Sequence, residues 1–224
     1  MNFDTASINE KIYQLLRERI IFGDYEPGSR IEMKNLCDEL NVSPQPVKEA
    51  IFRLAGERFI NIVSRKGTYV RQASLKDLVN MVEARIMYET AAIDLSAGKV
   101  RETDLQQLEY LCEDFLQTES KTYKEMQEKN MAFHCAVVSL AKNQWFDEAH
   151  GLLMGHYACL HYRYVVKGKD YSDSQQIYKD HRLVVNALRQ GDLENAKEIT
   201  KNHMQRVKDK IETVLFSENI SIPN

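Results

Sequence analysis

Apolar residues recur every three or four positions along three segments near the start of the chain. That spacing is the period of an amphipathic helix, which buries one face and leaves the other in solvent. Gly23, Pro27 and Gly28 separate the first segment from the second. The predicted helices run from Ile8 to Ile21, from Met33 to Leu40 and from Pro44 to Leu54.

The third predicted helix has prolines at positions 44 and 46. Ser43 is a favourable N-cap, and Pro44 at the first helical position has a fixed φ and no amide hydrogen to leave unpaired. Pro46 still lies in the first turn, where an amide has no partner within the helix. The prolines therefore start this helix and do not interrupt it.

Two β-rich runs follow, Phe59 to Val63 and Thr68 to Arg71, with a basic turn that contains Gly67 between them. Three helices with a short turn before the third, followed by a hairpin, form the order of a winged helix-turn-helix domain. In such a domain the third helix enters the major groove of DNA and the hairpin approaches the backbone or the minor groove. We expect this domain to occupy residues 1–72.

From Leu75 onward the pattern is almost continuously helical and has no strand signal. We expect residues 73–76 to form a linker and residues 77–224 an antiparallel bundle of about six helices, so that the fold class is mainly α. The predicted helices run from Leu75 to Ala97, from Thr103 (as N-cap) to Thr118, from Tyr123 to Ala141, from Trp145 to Val166, from Ser172 to Leu188 and from Leu193 to Phe216.

The composition, 43% hydrophobic and 28% charged, is that of a core-forming protein. Its four cysteines are widely separated and form no C-x-x-C pair, which argues against a disulfide framework and a zinc ribbon. The N-terminus has no apolar signal core, and nowhere do 18 apolar residues run together. We expect a cytoplasmic protein with no membrane partner.

Charge is distributed unevenly along the chain. The net charge is −3, yet residues 43–71 contain six basic and two acidic side chains. A basic excess on the predicted third helix and hairpin favours DNA as a partner, although a basic face is often only solvated.

The six histidines all lie in the second half of the chain. Asn130 and His134 are four residues apart on one predicted helix and share a face, while His181 and His203 lie on two later helices. If these faces converge, three imidazoles and one amide oxygen could bind a divalent metal. Spacing cannot show that they converge. We expect the remaining histidines to lie at the surface or at a pocket edge; these are His150, His156 and His161.

None of the common catalytic signatures occurs, neither H-E-x-x-H nor G-x-S-x-G nor a phosphate-binding glycine loop. We therefore predict a protein that is not an enzyme. The alternative is a metal-dependent hydrolytic enzyme with a DNA-targeting module, in which three histidines activate water.

The segment "IIFGDYEPGSRIEMKNLCDELNVSPQPVKEAIFRLAGERFINIVSRKGTYV" resembles the DNA-binding domain of GntR-type bacterial transcription regulators. The stretches "VEARIMYETAAIDLSA", "NMAFHCAVV", "DHRLVVNALRQGDLENAKE" and "NHMQRV" resemble the FCD ligand-binding domain of the FadR-like branch. Six helices in place of seven suggest the VanR-like subgroup of that branch.

The FCD resemblance implies a divalent metal, of the Zn, Ni or Mn type, held by one aspartate and three histidines and completed by a small carboxylate effector. His134, His181 and His203 match the histidine positions, whereas Asn130 stands where the family has aspartate. A neutral amide is a weaker ligand, so metal affinity should fall and more positive charge should remain for an anionic effector. Arg85 matches a position that presents a guanidinium to the effector. A helix-surface pair with Glu89 is the alternative role for Arg85.

The GntR resemblance implies DNA contacts in the first domain. Pro44 replaces an arginine that reads guanine in the family, and Gln45 has an amide suited to adenine. The usual operator sequence therefore should not apply. The matching DNA-contact positions, with the neighbouring basic Arg65 of the hairpin turn, are Lys34, Ser43, Gln45, Lys48, Arg65, Lys66 and Gly67.

These inferences predict a ligand-responsive DNA-binding transcription regulator, a repressor, that acts as a homodimer on palindromic double-stranded operator DNA. The family resemblance alone supports repression. A dimeric DNA-binding protein that has no effector is a further alternative.

Overall fold

The computed structural model describes residues 4–117, 122–166 and 174–217. The chain divides into two compact units, Met1–Ser74 and Leu75–Asn224. A helix begins at Leu75, where the helical pattern also predicted one, so Leu75 and Lys76 do not belong to the linker expected over residues 73–76. The division lies close to the predicted domain boundary.

The first unit is a winged helix-turn-helix, as its sequence predicted. Its helices are α1 (Asp4–Ile21), α2 (Met33–Leu40) and α3 (Pro44–Gly56). Its strands are β1 (Arg30–Ile31), β2 (Ile60–Val63) and β3 (Gly67–Val70), which form an antiparallel sheet in the order β1-β3-β2. Strand β1 was not predicted, because two residues are too few to show a period.

Helix α3 buries one face against the rest of the first unit. Its buried residues, Val47, Ala50, Ile51 and Leu54, recur at the helical period. They lie with Leu16 of α1 and Leu36 of α2 in the core of this unit. The opposite face of α3 is left in solvent, where it can meet a partner.

The turn between β2 and β3 is closely packed against β1. Gly67 has a φ of 135°, and a Cβ at this position would lie 2.8 Å from Nε of Arg30. The backbone conformation therefore favours glycine here, whereas the guanidinium belongs to a half-exposed side chain that could move aside.

The second unit is a helical bundle, which confirms the mainly α fold. Its helices are α4 (Leu75–Leu95), α5 (Glu102–Leu116), α6 (Tyr123–Ser139), α7 (Gln144–His161), α8 (Ser174–Arg189) and α9 (Leu193–Ser217). The predicted ends at Thr118 and Ser172 lie outside the described residues.

Several helix ends in the bundle differ from the sequence prediction, and two of these differences have a local structural cause. Helix α5 begins after Arg101, not at Thr103, because the carboxylate of Asp104 accepts a hydrogen bond from the Arg101 amide at 2.9 Å. Helix α7 ends at His161 and continues as a π-helical turn, Tyr162–Val166. The period of apolar residues does not distinguish an α helix from such a turn.

The main core of the bundle draws on α4, α5, α6, α8 and α9, and includes Leu108, Phe133, Val137, Val185 and Ala196. Phe133 and Val137 also line a small interior cavity. The histidines of α6, α8 and α9 meet at this cavity. Within the described ranges, the helices are all too short or too polar to span a lipid bilayer.

Candidate metal and effector site and DNA-contact surface

Three histidines from three helices converge in the bundle. His134 of α6, His181 of α8 and His203 of α9 are buried, and each offers a ligand atom within 4.8 Å of those of the other two. They line the interior cavity together with Glu89, Asp180 and Thr200. The structure thus brings together the three imidazoles that the sequence left apart.

Two of the helices that carry these histidines, α6 and α9, have capped starts. At the start of α6, Oγ1 of Thr122 accepts from the Glu125 amide, and the Glu125 carboxylate accepts from the Thr122 amide at 3.0 Å. At the start of α9, Oδ1 of Asp192 accepts from the Asn195 amide at 3.1 Å, as expected for an N-cap. These caps fix where the helices begin and therefore which residues face the cavity.

Glu89 of α4 binds the outward nitrogen of His134. Its Oε2 lies 2.8 Å from Nδ1 of His134, and both side chains are buried. Burial lowers the pKa of His134 to about 4, although Glu89 opposes this shift. The neutral imidazole therefore donates Nδ1–H to Glu89, and its Nε2, which is buried without a hydrogen-bond partner, is left to bind a ligand.

Asp180 plays the same part for His203. Its Oδ2 lies 2.8 Å from Nδ1 of His203 and also accepts from the half-exposed Arg206, while Oδ1 accepts from Gln176 at 2.9 Å. Burial would raise the pKa of Asp180, but His203, Gln176 and Arg206 outweigh it and hold the pKa below its ordinary value. Asp180 is therefore ionised and orients His203.

His181 is held by stacking in place of a carboxylate. Its ring lies 3.8 Å from that of Phe133, centroid to centroid, at an interplanar angle of 11°. Burial and the neighbouring His134 and His203 keep the pKa of His181 well below its ordinary value. Both ring nitrogens are buried without a hydrogen-bond partner. Such atoms are costly unless water, an ion or another polar group binds them.

Asn130, the fourth predicted ligand, lies one turn before His134 on α6 and is buried. Its Oδ1 has no hydrogen-bond partner. Asn130 is not among the residues that line the interior cavity. Its unpartnered oxygen is suited to a metal or a ligand, whereas its membership of the ligand set remains a prediction.

Arg85 is buried in the bundle and is paired with Glu89, but not on the helix surface as the alternative role assumed. Its Nε lies 3.2 Å from Oε1 of Glu89, and both side chains are 1% exposed. The guanidinium carbon lies 4.3 Å from the centre of the Tyr157 ring. The NH2 nitrogen has no hydrogen-bond partner. Arg85 thus combines an internal ion pair with a free donor.

Glu89 is ionised because of these neighbours. Burial by itself would raise its pKa, but His134, Arg85 and His150 hold the pKa well below the ordinary value. Because His134 is neutral at pH 7, Arg85 supplies the balancing charge. Removing one partner of such a buried pair strongly destabilises the folded protein, because the other charge is left buried without compensation.

The expectation that the other histidines lie at the surface or at a pocket edge is wrong for two of them. His150 and His161 are buried, and only His156 is partly exposed. Nε2 of His150 lies 3.4 Å from Oε1 of Glu89. Burial, with Arg85 and Lys210 acting in the same direction, lowers the pKa of His161 to about 3. Both residues lie on the inward face of α7, where tertiary packing overrides the polarity of the ring.

These residues fit a divalent metal of borderline softness. Two imidazoles have carboxylates on their outer nitrogens, an arrangement typical of metal-bound histidine, and ring nitrogens of His134 and His181 are buried without a hydrogen-bond partner. Sequence reasoning missed Glu89 as a partner of His134 and missed Asp180 entirely. Their positions in the sequence could have drawn attention to them: Asp180 directly precedes His181, and Glu89 follows Arg85 by one helical turn.

The predicted DNA-contact residues lie on the first unit and are accessible. Lys48 on α3, and Arg65 and Lys66 at the turn of the hairpin, are exposed. Gln45 is exposed too, but its Nε2 donates to Oε1 of Glu49 at 2.7 Å, so binding to adenine would require that bond to be exchanged. The others are exposed or, for Gly67, partly exposed: Lys34, Ser43 and Gly67.

Not every basic side chain of this segment is available to DNA. Arg53 of α3 donates to Glu10 of α1 at 2.6 Å and stacks on Tyr13, 3.5 Å from the ring centre. Its charge is already compensated inside the unit. The other exposed basic side chains of residues 43–71 are Lys48, Arg58, Arg65 and Lys66.

Comparison with known proteins agrees with this architecture. Residues 8–70 match the bacterial regulatory proteins of the gntR family, and residues 80–206 match the FCD domain. The HTH-type transcriptional repressor RspR of Escherichia coli K12 is 25% identical over 211 residues, which cover 94% of this chain and 91% of RspR. The HTH-type transcriptional regulator LutR of Bacillus subtilis 168 is 23% identical and covers 88% of this chain and 98% of its own.

Solved structures share the fold. E. coli McbR/YncC superposes with a TM-score of 0.79 at 21% identity and covers 95% of this chain and 99% of its own. A GntR regulator from Rhodococcus sp. RHA1 superposes with a TM-score of 0.75 at 20% identity, over 92% and 98% of the two chains. The relatives are regulators, which confirms the prediction that this protein is not an enzyme. The chain belongs to the GntR family of DNA-binding bacterial transcription regulators and carries an FCD domain.

Proposed function

We propose that this protein is a repressor whose affinity for operator DNA changes when its helical unit binds a small organic acid together with a divalent metal. The observation that carries this proposal is the convergence of His134, His181 and His203 around a cavity in which ring nitrogens are buried without partners. A bundle that served only for dimerisation would gain nothing from such atoms, because each lowers stability.

The metal would be held by Asn130, His134, His181 and His203. Imidazole ligands suit zinc and nickel better than manganese, which prefers oxygen ligands, and a bound ion of this kind would supply Lewis acidity toward a carboxylate oxygen. Glu89 and Asp180 would keep His134 and His203 in the tautomer that directs Nε2 to the ion.

Arg85 would bind the effector. Its NH2 nitrogen is the unpartnered part of a guanidinium whose Nε is fixed by Glu89 and whose face rests on Tyr157. A preorganised guanidinium recognises a carboxylate better than a flexible ammonium does. A small carboxylate is therefore the proposed class of effector.

The DNA-binding unit would act as one of a pair. Two identical winged helix-turn-helix units related by a twofold axis read two identical half-sites, so a homodimer and a palindromic operator belong together. RspR is named a repressor, which supports repression as the action of this protein too. Such a protein acts where the chromosome lies, in the bacterial cytoplasm.

The proposal is tested by measuring metal, acid and DNA binding on the full chain. Elemental analysis after exposure to zinc, nickel or manganese chloride gives the metal content. Thermal shift with a panel of small mono- and dicarboxylic acids then finds the effector class. Fluorescence anisotropy with a duplex selected from a randomised pool measures DNA affinity with and without each acid.

We expect an acid that raises the melting temperature of the metal-loaded protein also to change its DNA affinity, since linkage makes the coupling reciprocal. The Arg85→Lys protein should keep the buried positive charge but lose the bidentate geometry of the guanidinium. It should therefore no longer respond to the acid, while still binding DNA. His156→Ala is the control, since His156 lies outside the cluster. Acids that leave both melting temperature and DNA affinity unchanged would support a dimer that has no effector. Turnover of an acid would support the enzyme alternative.

A further inference from the structure

An aromatic ring lies exposed on the recognition helix. Phe52 of α3 is 55% exposed, whereas the neighbouring aromatic residues Tyr13 and Phe59 of the same unit are buried. Phe52 is not part of the predicted set of DNA contacts. Exposing a phenyl ring has a cost that burial against a partner would remove.

Helix geometry places Phe52 on the face that points away from the core. The buried positions of α3 are centred on Val47 and Leu54. Gln45, Lys48 and Phe52 follow one another at i, i+3 and i+7, and all three are exposed. They therefore form one stripe along the solvent face, in line with the residues expected to meet the major groove.

Lys48 connects the ring to the proposed phosphate contact. Its Nζ lies 5.7 Å from the centre of the Phe52 ring, within the range of a cation–π contact. A lysine bound to a phosphate in this position would bring the ring close to the same strand of DNA. The charge of Lys48 makes a nucleic acid the complementary partner for this stripe, in preference to an apolar protein surface.

The stripe offers few hydrogen-bond donors. Pro44 at the start of α3 has no backbone N–H, and the amide nitrogen of Gln45 already donates to Glu49. In the major groove the apolar group that distinguishes one base pair from the others is the 5-methyl group of thymine. A ring on this face can recognise that group without any hydrogen bond.

We propose that Phe52 is a specificity-determining residue that packs its ring on the 5-methyl group of one thymine in each operator half-site. The inference rests on the proposed docking of α3 in the major groove. It assigns part of the base readout to apolar contact, in place of the arginine that Pro44 replaces.

The test begins with selection of duplexes from a randomised pool by the full-length protein and by Phe52→Ser, Phe52→Leu and Ile8→Ser. Ile8 is a matched control, being an exposed apolar residue of the same unit on α1. We expect a thymine at one position of each half-site with the wild-type chain, with Phe52→Leu and with Ile8→Ser. Phe52→Ser should lose the preference at that position alone.

Deoxyuridine then removes the methyl group without changing base pairing. Replacing the selected thymine should weaken binding of the wild-type chain by about fourfold for each methyl group, the value of one buried methylene-sized group. Phe52→Ser should bind the two duplexes equally. An equal loss in both proteins, or a wild-type chain indifferent to deoxyuridine at every position, overturns the inference.

Lys48→Ala separates this inference from the function on which it rests. If Lys48→Ala lowers DNA affinity while deoxyuridine has no effect, α3 meets DNA and the role of Phe52 alone is wrong. If Lys48→Ala and Phe52→Ser both leave DNA affinity and sequence preference unchanged, the proposed docking of α3 fails as well. A Phe52→Ser chain that sediments as a monomer would instead assign the ring to contact between subunits, and would also overturn the inference.

Discussion

Nδ1 of His203 lies 2.8 Å from Oδ2 of Asp180, and both side chains are buried. His203 donates its Nδ1–H to Asp180, and this contact fixes the orientation of the imidazole ring. Half-exposed Arg206 holds the same carboxylate oxygen from the other side. Asp180 therefore links an interior imidazole to a cation that reaches solvent.

Asp180→Asn should weaken metal binding by about 10- to 100-fold, which is the usual effect of removing an outer partner of a metal-bound histidine. The amide is neutral and no longer raises the basicity of His203. Competition with a chromophoric zinc chelator measures the affinity. Arg206→Gln is the control, since it removes the ion pair but keeps the contact of Asp180 with His203, and it should change the affinity little. If both variants lose the same affinity, the ion pair and not the orientation of His203 is responsible.

Asn130→Asp should tighten metal binding. The buried Oδ1 of Asn130 has no partner, and a carboxylate at this position would add a charged ligand to three neutral imidazoles. An increase of about tenfold would correspond to about 1.4 kcal/mol. Equal metal affinity in the two proteins, measured with the same chelator, would show that residue 130 does not belong to the ligand set. Circular dichroism establishes that both chains are folded.

Acid should destabilise the protein through His161. The pKa of His161 is about 3 in the folded state, against an ordinary value of 6.5 in the unfolded chain. Between pH 3 and pH 6.5 the unfolded chain therefore binds a proton at His161 that the folded protein does not. The contribution of neutral His161 to stability is therefore complete above pH 6.5 and is lost as the pH falls toward 3. Between pH 6.5 and pH 5 the loss should reach about 2 kcal/mol.

Urea unfolding of the metal-free protein at several pH values measures this effect. His161→Gln has no titrating ring, so its free energy of unfolding should fall less steeply over the same range. Parallel pH profiles for the two proteins would mean that His161 gains no proton on unfolding. Chelator must be present throughout, because metal binding to other histidines also depends on pH.

Lys48→Ala and Lys66→Ala should each weaken DNA binding and reduce the salt slope by about one, the value for one lost phosphate contact. Both side chains are exposed on the first unit. Anisotropy titrations at several salt concentrations give the slope. Lys11→Ala changes an exposed lysine of α1 in the same unit and should leave the slope unchanged. An unaltered slope in Lys48→Ala would exclude Lys48 from the phosphate contacts.

The elements of the fold could largely be predicted from local patterns. The bounds of α2 agree at both ends, and the start of α3 at Pro44 follows from proline chemistry alone. Strand β1 was not predicted because Arg30 and Ile31 become a strand only by pairing with β3. The start of α5 was misplaced because a carboxylate within the helix, that of Asp104, caps it from inside.

The sequence could predict the metal-ligand residues of the candidate site, but not the residues that surround and orient them. Histidine spacing and family resemblance pointed to His134, His181 and His203, which do converge. The pairing of Glu89 with His134 joins residues 45 positions apart on two helices. Such contacts depend on how helices are rotated against one another, and no local period records that rotation.

The packing of Arg30 against Gly67 has a consequence for redesign. A side chain at residue 67 would strain the backbone, whose φ is 135°, and would displace the guanidinium, so this position of the hairpin tolerates substitution poorly. Helix α3, in contrast, presents the side chains of Gln45, Lys48 and Phe52 to solvent. Attempts to retarget this protein to another promoter should therefore vary α3 and leave the hairpin tip as it is.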